Sequence, residues 1–220
     1  MGEMEKKSMM TEMKMKDFLD QVSSCAPVPG GGGVCAYAAA LGMSLGSMVA
    51  NLTAGKKKYA EYEEEIQLIL KKAAGVTGRL ASGMEKDAEA FEPLSRAYGL
   101  PKSTKEEAEH REQIMEEALK KAAQAPLALM EEIMEALDIL SRLSEIGSRI
   151  AISDVGVGVQ LCRAALNGAS LNVYINTKLM KNRETAAEMN KKARELCEEG
   201  CREADRIYEQ VAGSLCGAEG

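Results

Sequence analysis

The stretch Val34–Leu52 constrains the fold more than any other part of the chain. It carries no charged residue, yet it is built mainly from Ala, Gly and Ser rather than Leu, Ile and Phe. Ala38, Gly42, Gly46 and Ala50 recur at every fourth position, which places them on one face of a helix. A stripe of small side chains lets a second backbone approach closely, in water as well as in lipid. Such a composition inserts poorly into a bilayer. The stretch therefore reads as a helix buried inside protein, and no membrane partner is expected.

The rest of the sequence is helical in pattern, with no sustained period-two run. The spacing predicts helices over 13–25, 32–53, 58–97, 104–146, 149–179 and 183–215. The breaks are chemically marked. Pro27, Pro29 and Gly30–Gly33 separate the first two helices, and Gly55 ends the second. Gly99 and Pro101 end the third, and Ser103 or Thr104 followed by Glu106 and Glu107 begins the fourth. The fourth helix has an apolar seam through Met115, Leu119, Ala122, Pro126, Leu129, Ile133, Ala136, Leu140 and Leu143. Pro126 on that seam predicts a kink. Helices of ~40 residues are about 60 Å long at 1.5 Å per residue. That exceeds what a compact chain of 220 residues needs. The expectation is an all-α, up-and-down bundle of about six helices whose core is completed by dimerisation. A frayed leader (1–12), one helical domain (13–215) and a short tail (216–220) make up the chain on this reading.

Composition removes several kinds of chemistry. His110 is the only histidine, and it lies in a charged stretch. Triads and most zinc sites need more. The six cysteines include no C-x-x-C pair and read as reduced, mostly buried thiols. The net charge of −6 argues against nucleic acid as a partner. Acid–base work is left to carboxylates, lysines or tyrosines.

Four features are candidates for chemistry. At roughly 100° per residue, Asp87 projects inside an apolar stripe formed by Ile69, Ala73, Val76, Leu80, Met84 and Phe91. A carboxyl group there loses hydration and its pKa rises, which suits acid–base catalysis near neutral pH. The alternative is an aspartate at the stripe edge that reaches solvent or accepts a hydrogen bond. The loop Pro29-Gly30-Gly31-Gly32 runs into the small-residue helix, so it is either a polar-ligand wall or a flexible turn. Asp154, Asn172 and Asn176 sit among apolar residues as ligand contacts, or as caps and interhelix ties. Lys56 and Lys57, with Lys58, could hold an anionic tail or simply oppose a helix dipole. Lys178, Lys181 and Arg183 form a second basic cluster with the same two readings.

Taken in order, Pro27–Gly33, Ala36–Thr53 closing in Gly55-Lys56-Lys57-Lys58-Tyr59, Lys86–Phe91, and Ser153-Asp154 through Leu171–Asn176 resemble a known family. This is the formiminotetrahydrofolate cyclodeaminase and methenyltetrahydrofolate cyclohydrolase family, over roughly residues 13–210. The resemblance implies a homodimer of long helices in the cytoplasm. It also implies a folate pocket at or near the subunit interface and a catalytic aspartate at Asp87. The substrate is then a tetrahydrofolate derivative, with or without a polyglutamate tail, and there is no tightly bound cofactor or metal. Pro29, Gly30, Gly31, Gly32, Lys56, Lys57, Asp154, Asn172 and Asn176 are the implied substrate contacts. Gly33 departs from the family, where serine is common. The first expectation is cyclodeamination of 5-formiminotetrahydrofolate; the alternative is hydrolysis of 5,10-methenyltetrahydrofolate. A non-catalytic folate-binding or scaffold protein is the reading from a different class.

Overall fold

The computed structural model describes residues 9–217. They form six α-helices and three short 3-10 turns, and no strand occurs among them. The helices are α1 (Met15–Val22), α2 (Gly31–Thr53), α3 (Glu63–Tyr98), α4 (Lys105–Ile146), α5 (Ile152–Leu179) and α6 (Arg183–Cys216). The all-α expectation holds. Helices α2, α3, α4 and α5 form a ring in which each packs on the next, and α6 lies across α5 and α4.

The ends are set by local chemistry. Thr104 and Glu107 form a reciprocal capping box at the start of α4: the Glu107 N–H donates to the Thr104 hydroxyl, and Glu107 accepts from the Thr104 N–H. Gly55 takes φ +70°, a conformation that suits glycine, just beyond α2. The chain then makes a 3-10 turn over Lys57–Tyr62 instead of entering α3 at residue 58. There the Arg149 N–H donates to the Tyr59 hydroxyl at 3.1 Å, joining this turn to the turn before α5. The leader is docked where it is described. Met10–Glu12 is a 3-10 turn, and the Met10 N–H donates to Glu85 Oε1 at 2.6 Å. Residues 1–8 and 218–220 lie outside the described residues.

The predicted seams are the core. On α4, Leu119, Ala122, Pro126, Leu129, Ile133, Ala136, Leu140 and Leu143 are all buried. They meet Ile66, Ala73, Val76 and Leu80 of α3 and Met43 of α2 within one apolar cluster. Each fully buried aliphatic side chain contributes about 1.5–3 kcal/mol. The cysteines differ from expectation: only Cys162 is buried, whereas Cys25 and Cys216 are exposed, and all six are free.

The small-residue stripe does bring two backbones together. A Cβ on Gly42 would stand 2.7 Å from the Gly158 carbonyl oxygen, and one on Gly158 would stand 2.8 Å from that of Gly42. Helices α2 and α5 run antiparallel through this crossing. Gly31 lies beside Asn172 at one end, and Lys56 Nζ lies 3.3 Å from the Ser148 hydroxyl at the other. Gly42→Ala should lower stability by about 1–3 kcal/mol, because the nearest obstructing atom is the main-chain oxygen of Gly158, with the Cys162 sulfur next at 3.0 Å. Urea unfolding checks this, and an unchanged midpoint would contradict the close approach.

Candidate active site

Helix α2 begins at Gly31, where Gly31 lies beside Asn172 of α5 and Gly32 beside Asp87 of α3. The N-cap residue, Gly30, has no side chain with which to accept from the first N–H groups. Asp87 of α3 supplies the acceptor instead. The Gly33 N–H donates to Asp87 Oδ2 at 3.0 Å, at the third helical position where an N-cap side chain commonly bonds. The Gly31 and Gly32 N–H groups have no acceptor within the described residues.

Glycine is required here by contact. A Cβ on Gly32 would stand 2.1 Å from Asp87 Oδ1. The carboxylate therefore rests on bare backbone. At Gly33 the nearest atom to a built Cβ is Pro29 Cβ at 3.5 Å, so the serine common in the family has room. What this chain uses at residue 33 is its backbone N–H. Pro29 is buried beneath the loop, and Gln21 Nε2 of α1 donates to the Val28 carbonyl at 3.0 Å, holding the loop in place.

Two influences act on Asp87. Burial raises its pKa, and the Gly33 hydrogen bond works more weakly in the opposite direction, leaving it above the ordinary aspartate value. The Cys35 thiol, one turn into α2, is pushed up to about 11 by burial and, secondarily, by the Asp87 charge. It stays protonated at neutral pH and is a poor nucleophile.

A cavity of about 280 Å³ lies beside Asp87, lined also by Gly83, Lys86, Gln124, Pro126, Leu129 and Glu132. Gln124 was missed in the sequence, although it precedes the seam proline by only two residues. On the α5 side, Asn172 stands 3.4 Å from a Cβ built on Gly31 and donates to the Gly168 carbonyl. Asn176 donates to the Ala122 and Asn172 carbonyls. Among the described residues no three His, Cys, Asp or Glu side chains converge as a metal site.

The structure thus brings Asp87, Pro29, Gly30, Gly31, Gly32, Asn172 and Asn176 to one end of the ring. It does not bring Lys56, Lys57 and Asp154 there. Lys56 and Lys57 follow the far end of α2, about 33 Å away along its axis. Asp154 is in the first turn of α5, about 27 Å along that helix from Asn172. Within one subunit these three share no pocket with Asp87, because α2 and α5 separate them by most of their length. The second basic cluster is largely structural. Arg183 donates to the Thr177 and Met180 carbonyls at the end of α5, and Lys181 pairs with Glu112.

The sequence model of the formiminotransferase-cyclodeaminase family matches residues 14–195. The chain belongs to that family. It is 43% identical over 201 residues to a methenyltetrahydrofolate cyclohydrolase from Methylorubrum extorquens, covering 91% of this chain and 97% of the relative. It is 31% identical to the formimidoyltransferase-cyclodeaminase of Mus musculus, covering 77% of this chain but only 31% of that longer protein. The crystal structure of formiminotetrahydrofolate cyclodeaminase from Thermotoga maritima superposes with a TM-score of 0.78 at 30% identity, covering 94% of this chain and 98% of the other. The family to which the chain belongs is one of folate one-carbon enzymes, and its named relatives include both a cyclohydrolase and cyclodeaminases.

Asp87 has a raised pKa in the folded chain. The native carboxyl keeps its proton to higher pH than the unfolded chain does, so it opposes folding once ionised. Asp87→Asn keeps an acceptor for Gly33 and should be more stable than wild type at pH 7. The difference should shrink as pH falls through the raised native value and vanish below about 3.9, the unfolded value. Thermal melts of both proteins from pH 3 to pH 8 read this directly; a variant less stable at pH 7 would refute it.

Proposed function

We propose that this chain is a methenyltetrahydrofolate cyclohydrolase with Asp87 as its catalytic residue. The observation that carries this reading is the 43% identity, across nearly the whole of both chains, to the Methylorubrum extorquens cyclohydrolase. The carboxylate of Asp87 takes a proton from water as its oxygen bonds to the methenyl carbon. The resulting tetrahedral carbon bears N5, N10 and a hydroxyl. Protonated Asp87 then delivers its proton to N5 as the carbon–N5 bond breaks. The hydroxyl proton passes to solvent, leaving 10-formyltetrahydrofolate. A carboxyl with a raised pKa suits both halves of this cycle. The unpartnered Gly31 and Gly32 N–H groups are suited to the oxygen of the tetrahedral state.

The Thermotoga maritima neighbour supports a second reading, cyclodeamination of 5-formiminotetrahydrofolate. In that reaction N10 attacks the formimino carbon, Asp87 takes the N10 proton, and the same proton leaves with ammonia. The tetrahedral carbon between two nitrogens is common to both reactions.

The dimer is part of the proposal. Val34, Ala38, Leu41, Leu45, Met48 and Leu52 of α2 follow alternating spacings of four and three. Val157, Leu161, Ala164, Gly168, Leu171 and Ile175 of α5 do the same. Both seams point outward on neighbouring helices: Leu41 is 44% exposed and Leu171 is 66% exposed. Such a seam suits helix-on-helix packing with a second copy. A two-fold axis perpendicular to α2 would carry the partner's Lys56, Lys57 and Asp154 end toward Asp87. That supplies cations for a folate glutamate or polyglutamate tail. It also enlarges a 280 Å³ cavity that is small for a whole folate. Six free cysteines fit a reducing cytoplasm, and a net charge of −6 fits a small-molecule partner rather than nucleic acid. No tightly bound cofactor or metal enters either reaction.

Absorbance of the methenyl chromophore tests the chemistry, with methenyl-folate consumed in one assay and formimino-folate converted in the other. The hydrolysis should dominate, and Asp87→Asn should lower turnover about 10²–10⁴-fold. Wild-type rates in that variant would end its assigned role, and folate binding without turnover by wild type would return the non-catalytic reading. For the assembly, Leu41→Glu should shift a dimer to a monomer in sedimentation. A variant that sediments as wild type would place the interface elsewhere.

A further inference from the structure

Pro126 lies in the middle of α4 with helix on both sides, and it is buried. A proline has no N–H, so the carbonyl four residues earlier, that of Ala122, loses its helical partner. Ala122 is itself buried, and an unpaired carbonyl there would be costly. The structure fills this gap from another helix. Asn176 Nδ2 of α5 donates to the Ala122 oxygen at 3.1 Å. Its other hydrogen goes to the Asn172 carbonyl of its own helix at 2.8 Å. Both amide hydrogens are thereby committed, and the planar amide has one orientation. Asn176 Oδ1 accepts from no group within the described residues, and it is not among the buried polar atoms left without a partner, so it remains accessible.

The surroundings make this orientation consequential. Pro126 lines the same cavity as Asp87. Asn172, one turn before Asn176, abuts Gly31, and the adjacent Gly32 carries the Asp87 carboxylate on its backbone. We propose that Pro126 is a positioning residue: by withholding an N–H from Ala122, it recruits the Asn176 amide and fixes Oδ1 as an acceptor for the N–H donor edge of the folate ring. Helix α4 continues through Pro126, and the carbonyl that the proline orphans is satisfied by a cross-helix hydrogen bond. This inference rests on the folate reading of the site above.

Pro126→Ala and Pro126→Val each restore the N–H, and valine retains more of the ring's bulk. Either should let α4 close its own hydrogen bond to Ala122 and release the Asn176 amide to turn. The expected result is a KM for the folate substrate raised about tenfold, the worth of one hydrogen bond, with kcat changed less than threefold. A purely structural proline would leave KM untouched. Stability supplies an independent reading. Asn176→Asp sets a carboxylate oxygen against the Ala122 carbonyl, so it should lower Tm in the Pro126 protein. In the Pro126→Ala background the helix N–H already satisfies Ala122, and the Tm deficit should be at least halved. An equal deficit in both backgrounds, or wild-type KM in both proline variants, overturns the inference alone. A wild-type protein inert toward both folates overturns the reading of the site, and this inference with it.

Discussion

The carboxylate of Asp87 joins the two requirements on which the rest of the site depends. As the acceptor for the Gly33 N–H it completes the start of α2, a helix whose own N-cap residue has no side chain. As a half-buried acid it holds a proton further up the pH scale than an ordinary aspartate. These roles pull in opposite directions, because the capping bond favours the charged form and burial favours the neutral one. Burial has the larger effect, and the result is a group that holds its proton above the ordinary aspartate range while still completing the start of the helix.

That arrangement requires close approach of backbones at two levels. At the site, Gly32 must lack a Cβ because Asp87 Oδ1 occupies its place. Further along α2, Gly42 and Gly158 must lack one because their main chains meet. The second contact sets how near α2 lies to α5, and so brings Gly31 against Asn172. The small-residue stripe thus sets how closely the start of α2, where Asp87 rests, stands to Asn172 of α5. Large aliphatic residues on α3 and α4 supply the apolar burial against which this spacing is fixed.

Much of this was legible in the sequence because helical periodicity and breakers are local signals. The α4 seam, the Thr104 cap and the stop at Gly55 appear where residue type predicts them. Asp87 was legible as an acid inside an apolar stripe. Its partner was not, since a backbone N–H fifty-four positions earlier leaves no side-chain signature. Asn176 was visible as a polar residue on a buried helix. Its acceptor could be found only by noticing which carbonyl Pro126 orphans. The lysines were legible as a cationic cluster, and only the antiparallel course of α2 and α5 revealed that they stand at the opposite end from Asp87.

Local sequence signals were enough to specify helices throughout the described residues, their approximate boundaries and the faces that are buried. They were enough because helix propensity, capping and amphipathic spacing act within a few residues of one another. Tertiary structure alone decided which distant groups meet: Asp87 with Gly32 and Gly33, Asn176 with Ala122, and Gly42 with Gly158. Those pairings depend on how closely whole helices approach, and that distance is set by the packing of every side chain along their lengths.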